Sequence, residues 1–151
     1  MPDAIVSDTS CLILFYKIGE LELLKSVFGN ILVTETVSKE FKKELPEWIE
    51  IAPLQSNLHK GLSSVLDPGE ATSIALAAEY DNSLLIIDEV KGRKVAREMG
   101  VQITGTLGVL ITAKEKGYIK AVKPIITKMG KTNFRVSEAL LQKVLEKVNE
   151  A

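Results

Sequence analysis

The chain has 151 residues with one cysteine, one histidine and few aromatics, which fits one domain spanning residues 1–151 around a core of Leu, Ile, Val and Ala. That inventory excludes an internal disulfide, a thiolate cage and a catalytic histidine pair, so difficult chemistry would fall to carboxylates. The net charge of −1 conceals a balance of −8 over residues 1–88 and +7 over residues 89–151, an asymmetry that suits a polyanionic partner and equally suits solvated helix faces.

Ala4-Ile5-Val6-Ser7 is an apolar run that stops at Asp8 and reads as a first strand. Ser10 to Lys17 and Glu20 to Phe28 read as helices separated by Gly19. Ile31-Leu32-Val33 is a second strand, and Thr34 can cap a helix whose apolar stripe is Val37, Phe41 and Leu45. Trp48 to Ile51 suggests a third strand, and a helix is expected from about Asn57 to Leu66. Asp67-Pro68-Gly69-Glu70 opens the next helix with the signature of a capping box.

Leu84-Leu85-Ile86-Ile87 is wholly apolar, as a strand covered on both faces should be, and it ends at Asp88. A basic helix from Val90 to Met99 follows, stopped by Gly100, and then a strand from Val101 to Thr104. Gly105-Thr106 leads into a helix ending near Gly117, with further helices from Pro124 to Met129 and from Ser137. Strands alternating with helices predict an α/β fold with a parallel sheet. Ligands gather beyond the carboxyl ends of such strands. No apolar run approaches the roughly 20 residues of a membrane span. Met1-Pro2-Asp3-Ala4 also lacks the basic flank of a targeting peptide. A cytoplasmic protein without membrane contact is therefore expected.

Four acids stand out by position. Asp8 and Asp88 end two strands, although each also suits a helix cap or turn, and taken singly that local reading is the stronger. Glu70 belongs to the capping box but also borders the buried stripe through Ile74. Glu40 borders the stripe of Val37 and Phe41, where a solvated helix edge competes with a ligand role. Carboxylates held close repel one another and raise each other's pKa values, a cost that a divalent cation removes. Hard oxygen donors suit Mg²⁺ or Mn²⁺. In the basic half, Lys91, Arg93, Lys94 and Arg97 form two adjacent rows on one helix and are candidates to hold a phosphate backbone.

The segments Ile5-Val6-Ser7-Asp8-Thr9-Ser10, Val37-Ser38-Lys39-Glu40, Asp67-Pro68-Gly69-Glu70-Ala71 and Leu85-Ile86-Ile87-Asp88-Glu89, with Arg93 to Gly100 and Thr104 to Leu110, resemble the PIN domain family, which includes VapC-type toxins. The resemblance implies a three-layer α/β/α Rossmann-like fold with a central parallel sheet of about five strands. It implies that the first and fourth strands are neighbours. It further implies that Asp8, Glu40, Glu70 and Asp88 surround one or two Mg²⁺ or Mn²⁺ ions, with Thr9, Ser10 or Thr106 orienting acids and water. The implied reaction is hydrolysis of RNA phosphodiesters. An antitoxin protein and a homodimer are the partners it suggests besides RNA. Position 70 is Glu where many VapC toxins have Asp, and the longer arm could shift a metal. Two other readings remain: a metal-free or inactive nucleic-acid-binding module on this scaffold, and another Mg²⁺-dependent phosphoryl-transfer protein. A receiver-type phosphoacceptor is disfavoured, because the last clear strand ends in Thr104 and not in a lysine.

Overall fold

A computed structural model describes residues 2–151; Met1, at the start of the expected 1–151 domain, lies outside them. Among the described residues there are five strands: β1 (Ala4–Ser7), β2 (Ile31–Val33), β3 (Ile49–Ile51), β4 (Ser83–Ile86) and β5 (Gln102–Thr104). The helices are α1 (Thr9–Lys17), α2 (Leu21–Phe28), α3 (Glu35–Phe41), α4 (Leu58–Leu62), α5 (Pro68–Ala78), α6 (Val90–Glu98), α7 (Thr106–Glu115), α8 (Lys123–Met129) and α9 (Glu138–Lys147). All strand pairings are parallel, in the order β3-β2-β1-β4-β5. The fold is therefore α/β, of the three-layer PIN-like kind expected.

Side chains alternate across each strand, so the sheet feeds two cores. Ile5, Val33 and Ile86 face a cluster with Phe15, Leu24, Phe41, Leu110 and Met129 from α1, α2, α3, α7 and α8. Val6, Leu85 and Ile87 face the opposite cluster, with Ile74 and Leu76 of α5 and Ala96 of α6. Full burial of side chains such as Phe15 and Leu85 contributes roughly 1.5–3 kcal/mol each.

Local signals place most helix starts. Thr34 caps α3 by accepting from the Val37 amide, Asp67 caps α5 with Pro68 in its first turn, and Ser137 caps α9. Two expected helices are shorter than their sequence patterns. Helix α3 ends at Phe41 because Lys42 adopts a left-handed φ of 62°, so Leu45 lies beyond it and packs on the core from the following loop. Helix α4 closes at Leu62, with Gly61 weakening its last turn, and buried Leu66 is reached through a turn.

The chain runs outward from β1 through β2 to β3, then returns to the other side of β1 with β4 and β5. The order of strands thus reverses between β1 and β4, the place where open α/β sheets form a crevice. Their register pairs Ser7 with Ile86, and the Asp8 amide continues the ladder by donating to the Ile86 carbonyl at 3.1 Å. Asp8 and Asp88 therefore leave the sheet side by side. No helix among the described residues is long and apolar enough to cross a membrane.

Candidate active site

Asp8 is 2% exposed and extended, and its Oδ1 accepts from the Cys11 amide at 3.0 Å. It is therefore the N-cap of α1, as its local sequence suggests. Capping does not exhaust it. Burial pushes its carboxyl up to about 7 against the opposing pull of the Cys11 bonds, and the charges of Asp88 and Glu70 add to the rise. A cap exposed to water would have no such burden.

Asp88 does not cap the helix that follows it. Glu89 does so, accepting from the Gly92 amide at 2.9 Å. Asp88 reaches instead to the start of α7, where Oδ1 accepts from the Thr106 amide at 2.7 Å and Oδ2 accepts from the Thr106 hydroxyl. The amides at a helix start are free donors, so α7 holds this carboxylate in place. A third donor comes from α1: the Cys11 thiol lies 3.4 Å from Asp88 Oδ2. Burial, reinforced by Asp8 and Asp88, raises the thiol pKa, so Cys11 remains protonated and able to donate.

Glu70 completes the capping box only in part. Its amide donates to Asp67 Oδ1 at 2.9 Å, and the residue as a whole is 9% exposed. Desolvation raises its carboxyl to about 7, with Asp67, Glu89 and Glu40 adding repulsion and the Asp67 amide opposing it. Glu40 lies across from it, its Oε1 accepting from the Thr9 hydroxyl at 2.5 Å. This pair sits against Gly69: a methyl there would lie 2.8 Å from the Thr9 hydroxyl and run into Glu40 Oε1. Gly69 is required for close approach, not for an unusual φ.

Asp8 feels the charges of Asp88 and Glu70, and Glu70 that of Glu40, so the four expected acids lie along one strand-end crevice, and Thr9 and Thr106 donate to two of them. Ser10 is exposed at the rim of a cavity that also reaches Asp88. Among the described residues, no three His, Cys, Asp or Glu side chains already converge closely enough to hold a metal ion. The fit to a divalent cation therefore lies in donor chemistry: hard oxygens, two of them on carboxyls whose charge burial and mutual repulsion oppose.

Lys91, Lys94 and Arg97 are exposed along α6. Arg93, expected beside them, is half-buried and folds back, Nη1 donating to the Ile87 carbonyl at 3.0 Å. A methyl on Gly105 would lie 2.6 Å from both Arg93 Nη1 and Asp88 Oδ1, so these two groups flank that glycine. Sequence reasoning missed Cys11 and Glu89 as parts of the site. Glu89 had a detectable signal, standing three before Gly92 at a helix start. Cys11 had none, because its partner is 77 positions away.

No curated protein and no solved structure matches the chain. A family described as a PIN domain matches residues 4–150, which takes in Asp8, Glu40, Glu70, Asp88 and every strand. Such domains are generally nucleases that use divalent metals. The chain belongs to the PIN domain family.

Proposed function

We propose that the chain is a Mg²⁺- or Mn²⁺-dependent endoribonuclease whose working groups are Asp8, Glu40, Glu70 and Asp88. The observation that supports this reading is the mutual repulsion that Asp88 and Glu70 exert on Asp8 beside the β1–β4 crevice, with both Asp8 and Glu70 raised to about 7. Four acids of this kind would hold the cation. When bound, it would polarise the phosphodiester and lower the pKa of a water molecule.

The chain's own groups do the positioning. Thr106 and Cys11 fix both oxygens of Asp88, so this carboxylate meets its ligand without first being ordered. Thr9 turns Glu40 toward the start of α5. Arg93, flanking Gly105 with Asp88, places a guanidinium where a phosphate oxygen could be met, while Lys91, Lys94 and Arg97 extend positive charge along α6. RNA is the substrate that the family resemblance and the basic second half support together. A VapC-like role, with an antitoxin and a homodimeric assembly, extends the same reading, and co-purification with size measurement tests it.

The rival reading is a metal-free nucleic-acid-binding module, which the exposed cations Lys91, Lys94 and Arg97 of α6 would equally serve. Purified protein incubated with total RNA and Mg²⁺ or Mn²⁺, followed by mapping of the new ends, separates the two. Asp8→Asn and Asp88→Asn should each abolish metal-dependent cleavage while remaining folded. Near wild-type activity in either variant at saturating metal would sink the four-acid site. Titrating Mn²⁺ during thermal unfolding gives an independent check, since an ion that binds only the native state raises Tm.

A further inference from the structure

Two cavities of about 590 Å³ each open beside the crevice. One is lined by Ile13, Leu14 and Lys17 of α1 and by Asn133; the other by Arg93, Leu107 and Ile111 among others. Both include Asp88, Val90, Phe134 and Arg135. The Phe134–Arg135 segment therefore borders both, making them two arms of a trough that meets at Asp88.

This segment is anchored. The Phe134 amide donates to Thr132 Oγ1 at 3.1 Å, and that hydroxyl donates to the carbonyl of fully buried Met129 at 2.6 Å. Phe134 is half-buried, packing on the core while still bordering both cavities. Arg135 is exposed, and its Nη1 donates to the Thr132 and Phe134 carbonyls at 2.7 and 3.0 Å. A guanidinium has five donors, so it keeps capacity for an anion. Among the described residues the ion pairs are Glu35–Lys39, Lys114–Glu150 and Glu20–Lys128, so Lys17, Arg93 and Arg135 have no carboxylate within 4.0 Å.

We propose that this trough is the track of a single-stranded RNA, with a base next to the cleaved bond stacked on Phe134 and the adjoining phosphates held by Arg135 and Lys17. The proposal rests on the ribonuclease reading and adds where the strand lies. Apolar walls beside unpaired cations fit a nucleotide's alternation of flat base and charged phosphate. The cavities fall in the size range of small-molecule sites. A duplex keeps its bases stacked on one another and has none to offer Phe134, so the site selects single strands. Arg93, at the opposite arm, continues the path toward the exposed cations of α6.

The test measures binding of the full chain, in chelator so that nothing is cut, to a short labelled single-stranded RNA. The RNA is used intact and with one abasic position moved along it. Phe134→Leu keeps apolar packing but removes the stacking face, and Phe134→Trp restores it. For wild type, one abasic position should weaken binding about tenfold. Phe134→Leu should lose about the same on intact RNA and nothing further on that abasic RNA, with Phe134→Trp near wild type. Arg135→Gln should weaken both RNAs alike and lower the salt slope by about 0.7. Unchanged affinity in Phe134→Leu at unchanged Tm would overturn the base site and leave the trough to another occupant, such as a peptide. Losses that add between Phe134→Leu and every abasic position would overturn it as well. Failure of wild type both to bind these RNAs in chelator and to cut them with Mn²⁺ would overturn the ribonuclease reading itself.

Discussion

The Cys11 thiol donates to Asp88 Oδ2 across 3.4 Å, tying the first turn of α1 to the end of β4. The Thr106 hydroxyl lies 3.7 Å from the same sulfur and also donates to Asp88, so three elements meet on one carboxylate. Cys11→Ala removes one donor and leaves the other two. Metal-dependent cleavage should fall about tenfold, a usual cost for losing an orienting partner. Cys11→Ser keeps a donor and should retain most activity. Equal rates for the two variants would show that the thiol only fills space.

Asp8 and Glu70 make the metal-free protein sensitive to pH. Both carboxyls are raised to about 7 when folded, from ordinary values of 3.8 and 4.5. The native state therefore holds protons that the unfolded chain has already released. Their contribution to stability is fully present below about pH 4 and is lost as pH rises through about 7. Asp8 alone can supply a slope of up to about 1.4 kcal/mol per pH unit in that window. In chelator, Tm should fall from pH 4 to pH 7, and Asp8→Asn should flatten the fall while keeping its cap bond to Cys11. An unchanged slope in that variant would refute the assignment.

Gly105 should tolerate no side chain. A methyl there would sit 2.6 Å from Asp88 Oδ1 and from Arg93 Nη1, so both groups must move apart. Gly105→Ala is expected to lower cleavage by at least about tenfold, since a small misplacement of reacting groups is costly. Its Tm should also fall, because Asp88 is held by Thr106 and Cys11 and can move only by loosening those bonds. Full activity in Gly105→Ala would mean that the placement of Asp88 and Arg93 is not critical.

The cations of α6 can be tested without touching the acids. Replacing Lys91 and Arg97 with Gln should weaken RNA binding and lower its salt slope by about 0.7 for each lost phosphate contact. Metal affinity, read from the Mn²⁺ dependence of Tm, should stay the same. A lower Tm with unchanged RNA affinity would instead assign these residues to holding the fold together.

Glu150 fastens the C-terminal helix. Desolvation alone would raise its carboxyl, but the Val122 amide at 2.7 Å, Lys114 at 2.9 Å and the Lys123 amide at 3.0 Å outweigh it and lower the pKa to about 2. A lowered pKa gives stability that is present above about pH 4.5 and lost as pH falls through about 2. Glu150→Gln should reduce Tm by about 2–4 °C at pH 7. The difference from wild type should vanish near pH 2. A difference that persists in acid would assign the effect to packing, not to charge.

Short-range signals along the chain set the punctuation of this fold. Asp8, Thr34, Asp67 and Ser137 announce helix starts through contacts reaching only three residues along the chain. The apolar run ending at Ile87 announces a strand covered on both faces. With one histidine and one cysteine, carboxylates were expected to carry most of any difficult chemistry. Tertiary structure decided what those carboxylates face. Glu89, not Asp88, caps α6, because Asp88 is drawn across to the free amide and hydroxyl of Thr106 at the start of α7. Arg93 leaves its helical row because the Ile87 carbonyl at the end of β4 offers it an acceptor. Helix and strand signals depend on neighbours within about four positions, whereas the Cys11, Thr106 and Phe134 contacts arise only when layers built from distant segments pack against one sheet.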